Sequence, residues 1–162
     1  MHVRDIMTEN PACCAPTTNL AAAAEMMWNN DCGVLPVMNN DEVEGILTDR
    51  DVCIALGTRN RRAEEVSAGE IATREVETCL PEDDIHAAMA TMRRAKVRRL
   101  PVVGRDGQLQ GLIALNDIVL AVERTHGSVS YEEVMNTLKA VSEHRAHKAT
   151  ASTKSPAVAA VA

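Results

Sequence analysis

The sequence predicts an α/β (α+β) fold: two tandem β-α-β-β-α repeats packed as one pseudo-symmetric module, with a C-terminal helix after them. Three observations predict it. The first is internal repetition, the signature of a duplicated supersecondary unit. A shift of 65 residues aligns Ile6 with Ile71, Thr8 with Thr73, Cys14 with Cys79, Pro16 with Pro81, and Leu35-Pro36-Val37 with Leu100-Pro101-Val102. One extra residue in the second copy moves the offset to 66, so that Gly45-Ile46-Leu47 meets Gly111-Leu112-Ile113 and Asp51 meets Asp117. The second is that apolar spacing alternates between extended and helical periods in the same order in both copies. The third is composition: 162 residues, 46% hydrophobic and 25% charged, as in a globular chain with a sizeable core.

Each element has a local reason. A short extended segment, Ala12 to Ala15 in the first copy and Glu77 to Leu80 in the second, ends at a proline. A helix follows, with Thr18 and Asp83 as the expected caps. Its apolar stripe is Leu20, Ala23, Ala24, Met27 in one copy and Ile85, Ala88, Met89, Met92 in the other. A strand comes next, Val34 to Met38 or Leu100 to Val103. A turn rich in Asn, Asp and Gly leads to a return strand, Val43 to Leu47 or Leu109 to Ala114. A second helix, Asp49 to Leu56 or Asn116 to Thr125, closes the unit. The expected divisions are repeat one at 1–57, a polar and basic linker at 58–65, repeat two at 66–125, a C-terminal helix at 126–146 and a disordered tail at 147–162. Ser130 and Glu133 have the spacing of a capping box for that last helix, with Val134, Leu138 and Val141 as its apolar stripe. A unit of about 55 residues is marginal alone, so the copies are expected to share one interface and one core.

Composition excludes several functions. Trp28 and Tyr131 are the only aromatic residues, too few to stack the bases of a single strand. The net charge is −6. Residues 1–65 hold 5 Lys/Arg against 11 Asp/Glu, residues 66–120 hold 7 against 8, and residues 121–162 hold 5 against 4. No nucleic-acid partner is expected of such a chain. Leu20 to Trp28, the longest mostly apolar window, is too short for a bilayer and contains Glu25, so no membrane association is expected. No secretory pattern opens the chain and its five cysteines are an odd number, which points to reduced thiols and a cytoplasmic location. Cys13 and Cys14 are adjacent and no Cys-x-x-Cys occurs, so no metal site is expected; the five histidines show no ligand spacing either. Cys14 and Cys79 read as core or pocket-lining thiols, and Met26, Met27, Met89 and Met92 as core filling.

The tandem unit, its Leu-Pro-Val strands, the Val3-Arg4-Asp5-Ile6-Met7-Thr8 opening and the closing Gly45-Ile46-Leu47-Thr48-Asp49-Arg50-Asp51 together resemble the CBS domain, over roughly residues 1–122. Two such domains form a CBS pair, or Bateman module. On physical grounds Thr48 stands where a strand turns into a helix, and its hydroxyl and the following N–H groups suit a phosphate. Asp51, one turn in, offers two acceptor oxygens to a pair of vicinal hydroxyls such as those of ribose. The same pair reads equally as a helix cap, and the two roles can coexist. The resemblance implies an adenine nucleotide, with this Thr at phosphate and this Asp at ribose. In the second copy Ala114 replaces the hydroxyl while Asp117 remains, so unequal sites are expected, the first being the better. The resemblance also makes Arg98 and Arg99, just before Leu100-Pro101, candidate phosphate clamps. Asp49, Arg50, Leu115 and Asn116 complete the candidate nucleotide-binding set. Arg93 and Arg94 read as a solvated helix face.

The function expected is a stand-alone regulatory module, not an enzyme. It binds AMP, ADP or ATP as a regulatory ligand, requires no cofactor, forms a homodimer and signals occupancy to a partner protein that the sequence does not name. The alternatives are a structural or dimerisation module with an empty pocket, or one binding S-adenosylmethionine or a dinucleotide, and, third, a thiol-redox sensor.

Overall fold

A computed structural model of the chain describes residues 1–125 and 129–143. The expected tail at 147–162 and both ends of the expected C-terminal helix lie outside the described residues.

The first repeat contains helix α1 (Leu20–Asn29), strands β2 (Val34–Asn39) and β3 (Glu42–Thr48), and helix α2 (Asp49–Arg59). The second contains α4 (Ile85–Ala95), β4 (Arg99–Val103), β5 (Leu109–Ala114) and α5 (Leu115–Ala121), the last continued by one 3-10 turn. Between them run a 3-10 turn at Ala63–Glu65 and a short helix α3 (Ala68–Ile71); α6 (Tyr131–Ser142) follows the second repeat. Helix α2 runs to Arg59 rather than Leu56. It stops where Asn60, at φ 49°, takes the left-handed conformation that ends a helix, so the first part of the expected linker is helical.

The expected caps move by one residue. Asn19, not Thr18, caps α1 by accepting from Ala22 N at 2.9 Å, and Asp84, not Asp83, caps α4 by accepting from His86 N at 2.9 Å. Thr18 and Asp83 instead accept from Ala15 N (3.1 Å) and Leu80 N (2.8 Å), closing the turn ahead of each helix. The extended segments before the helices shrink to single parallel bridges, Cys14 with Val37 and Cys79 with Val102. Both hairpins form as expected, in matched register: Thr48 lies opposite Val34, and Ala114 opposite Arg99. Asn40 and Asp41, both at positive φ, make the tight turn of the first hairpin.

The segment leading into each repeat packs on the other repeat. Strand β1 (Thr8–Glu9) pairs antiparallel with β5 of the second repeat, Thr8 opposite Leu112. Thr73 makes the equivalent pairing with Ile46 of the first. Glycine permits both approaches. A Cβ on Gly111 would lie 2.9 Å from Thr8 O, and one on Gly45 3.1 Å from Thr73 O.

This exchange corrects the expectation of one shared core. Two clusters of buried residues form, each closed by one or two residues borrowed from the other half. One holds Leu20, Met27, Leu35 and Leu47 with Val66 and Ala68. The other holds Ile85, Met89, Met92, Leu100, Ile113 and Ile118 with Val3. Each helix–hairpin unit wraps its own apolar face, and the borrowed lead-in seals it. Ala24 of the predicted α1 stripe is exposed, whereas all four predicted residues of α4 are buried. Helix α6 lies across α4 and α5. Its buried face is Val134 and Thr137, and Leu138 is exposed. Ser130 caps α6 by accepting from Glu133 N at 3.2 Å, while the Glu133 carboxylate turns to His86 Nδ1 at 2.7 Å.

Candidate functional site

The β3–α2 junction is a complete reciprocal cap. Asp51 N donates to Thr48 Oγ1 (3.2 Å), while Thr48 N and the Thr48 hydroxyl donate to Asp51 Oδ2 at 3.0 and 2.6 Å. Asp51 Oδ1 takes no hydrogen bond among the described residues. The carboxylate is thereby oriented by its own cap with one oxygen left for a ligand. The Thr48 hydroxyl has its single proton directed at Asp51, so in this arrangement it has none to offer an anion.

Cationic donors arrive from the second repeat. A cleft of ≈ 290 Å³ between the repeats is lined by Thr48, Asp49, Arg50 and Asp51 on one side and by Val97, Arg98, Arg99 and Pro101 on the other. The crossing segment with Thr73, Glu75 and Glu77 forms its third wall. The guanidinium groups of Arg98 and Arg99 are exposed and make no hydrogen bond or ion pair among the described residues. The other basic side chains between residues 93 and 99 are engaged. Arg93 Nη1 donates to the buried Thr137 at 2.8 Å, Arg94 pairs with Glu77 at 2.8 Å, and Lys96 pairs with Glu143 at 2.7 Å. Arg93 is therefore a tie between α4 and α6 rather than part of a solvated face.

A second cleft of ≈ 350 Å³ lies at the pseudo-symmetric position, with Thr8, Gly33, Val34, Arg99, Ala114, Asn116 and Asp117 in its lining. Arg99 lines both clefts. Asp117 Oδ2 accepts from Ala114 N at 2.7 Å, and no side chain caps α5. Burial pushes the Asp117 carboxyl above the usual aspartate range, against the Ala114 hydrogen bond and the charge of Arg99, which pull the other way. Leu115 departs from the expected site. Its side chain is buried in the second core and lines neither cleft. At the equivalent position Asp49 is exposed, and a Cβ on Gly33 would meet its Oδ2 at 2.8 Å. The Asp49 carboxylate thus occupies the space that a side chain in the position equivalent to Arg98 would need.

The thiols at Cys14 and Cys79 are buried. Burial pushes Cys79 up to about 12, with the Asp83 carboxylate adding to the shift, and Cys14 up to about 11. Both stay protonated near neutral pH and are poor nucleophiles. Among the described residues no group of three or more His, Cys, Asp or Glu is placed to hold a metal ion, and no helix is long and apolar enough to cross a membrane.

The family model described as CBS domain matches residues 3–58 and again 68–124. The chain belongs to the CBS domain family. This CBS pair is 28% identical over 145 residues to the CBS domain-containing protein YhcV of Bacillus subtilis, covering 90% of this chain and 98% of that one. Among solved structures it resembles Hypoxic Response Protein I, which holds two coordinated zinc ions (30% identity, TM-score 0.68, 74% of this chain and 98% of that one). It also shares the fold of CBSX2, solved in complex with AMP (23% identity, TM-score 0.67, 77% of this chain and 98% of that one).

Proposed function

We propose that this CBS pair is a regulatory module that binds an adenine nucleotide in the first cleft and passes its occupancy to a partner protein. The observation that carries the reading is the composite lining. An oriented carboxylate from one repeat lines the same cleft as two arginines from the other that make no hydrogen bond or ion pair among the described residues, which matches a ribose and a phosphate on one ligand. A ligand gripped from both sides ties the repeats together, and a change in their fit is a signal that a partner can read. The AMP complex of CBSX2 supports the ligand class. Titration calorimetry of the full chain with AMP, ADP and ATP tests it: at least one should give saturable heat at one site. No heat and no thermal shift at millimolar concentrations of all three would remove the proposal.

The same reading includes a homodimer built on α2 and α5. Ile54 and Leu120 occupy equivalent positions on these helices and are 50% and 75% exposed, with Val119 beside Leu120 also exposed. Apolar faces related by the internal pseudo-symmetry suit pairing with a second copy. Leu120→Glu should convert a dimer to a monomer in analytical ultracentrifugation, and an unchanged sedimentation coefficient would count against this face.

A further inference from the structure

Helix α6 lies across α4 and α5 of the second repeat and buries Val134 and Thr137 there. Three contacts from α4 and its C-cap hold it: His86 Nδ1 with Glu133 (2.7 Å), Arg93 with Thr137 (2.8 Å) and Lys96 with Glu143 (2.7 Å). The equivalent face of the first repeat has no counterpart of α6 among the described residues. In its place is an open groove of ≈ 480 Å³ between α1 and α2, walled by Ala24, Met27, Trp28 and Val52 and carrying Asp31 and Asp49. The repeat offset makes Ala21 the counterpart of His86, Trp28 that of Arg93 and Asp31 that of Lys96. Two of the groups that hold α6 are thus replaced by uncharged residues, and the third by a carboxylate. A helix as acidic as α6 has the wrong sign for this groove.

What the groove suits is a basic segment. Trp28 is 85% exposed, and an indole face beside carboxylates takes a lysine or arginine by cation–π contact and ion pairing together. Neither Asp31 nor Asp49 makes an ion pair among the described residues. The chain itself carries a segment of that chemistry. Residues 144–162 include Arg145, Lys148 and Lys154 and no Asp or Glu. They start at Glu143, whose carboxylate is held by Lys96. From His144 to Lys154 an extended chain spans about 35 Å, enough to cross a domain of this size.

We infer that the α1–α2 groove is an intrachain docking site for the basic segment 144–162, with Trp28 and Asp31 as its main contacts. The two repeats then carry complementary covers from one continuous stretch: the acidic α6 on the basic face of the second, and the basic segment after it on the acidic face of the first. The contact does not depend on what either cleft binds.

Acrylamide quenching of fluorescence in the full chain tests this, because Trp28 is the only tryptophan. Quenching should be weak in the unmodified chain at low salt and should strengthen as salt screens the contact. Asp31→Lys should expose the indole, and so should Arg145→Glu combined with Lys148→Glu and Lys154→Glu, each change weakening docking about tenfold. The backbone accepts the lysine, since Asp31 at φ 47° and its counterpart Lys96 at φ 53° share the left-handed conformation. Joining Asp31→Lys to the three glutamate substitutions restores opposite charges and should recover part of the protection. Equal quenching in the unmodified chain and in both variants would overturn the inference, and so would a joined variant as exposed as its two parents. Protection that is lost on dilution would overturn it too, because a second copy would then be the cover.

Discussion

Replacing Asp51 by alanine is expected to weaken AMP binding about a hundredfold, whereas Asp117→Ala should leave it within about threefold. Hydrogen bonds to a charged acceptor contribute about 1.5–3 kcal/mol each, and about 1.4 kcal/mol is a factor of ten, so losing a carboxylate that holds two hydroxyls reaches this size. Asp51 also closes the reciprocal cap with Thr48, and its loss should cost α2 about 1 kcal/mol. Asp51→Asn separates the two effects: it retains an acceptor for Thr48 N but not the charge, so stability should recover and affinity should not. Calorimetry on the three variants beside thermal unfolding reads both quantities. Equal losses of AMP affinity in Asp51→Ala and Asp117→Ala would contradict the assignment of the nucleotide to the first cleft.

The second large effect is expected from Arg98→Gln combined with Arg99→Gln. Both guanidinium groups are exposed and make no hydrogen bond or ion pair among the described residues, so their removal should leave the unfolding temperature nearly unchanged. A charge-assisted, forked contact to phosphate is about twice as strong as a neutral hydrogen bond, and losing two should reduce AMP affinity about thirty- to a hundredfold. The salt dependence of AMP binding should flatten at the same time, because screening acts on these exposed charges. AMP affinity within about twofold of the unmodified chain, with its salt dependence retained, would transfer phosphate recognition to Thr48, Arg50 and the backbone.

The parts of the fold that follow from local chemistry were legible in the sequence. The duplication, both hairpins and the helix stripe of α4 follow from spacing alone, and the matched register of Thr48 and Ala114 follows from the repeat offset. The parts that depend on contacts distant in sequence were not. Nothing in Thr8–Glu9 announces a strand; it forms because Gly111 leaves room for Thr8 to approach β5. The small size of each unit argues for a single core; two form instead because the crossing places Val3, Val66 and Ala68 in the opposite half, where they seal each unit's own cluster. The caps slipped by one residue because Thr18 and Asp83 are good cap types that the preceding turn uses first. At the candidate site, Leu115 was carried over by position alone, and position does not report burial: its counterpart Asp49 is solvent-facing while Leu115 fills a core. The meeting of Thr48 and Asp51 with Arg98 and Arg99 in one cleft was legible, because the duplication puts each motif opposite the strand entry of its partner.

That composite cleft is the central claim, and amide chemical-shift mapping during an AMP titration tests it most directly. The amides of Thr48 to Asp51 and those of Arg98 and Arg99 should shift together, along one saturation curve with one dissociation constant. Shifts confined to one of these two segments, or two curves with different midpoints, would contradict a single ligand held by both repeats.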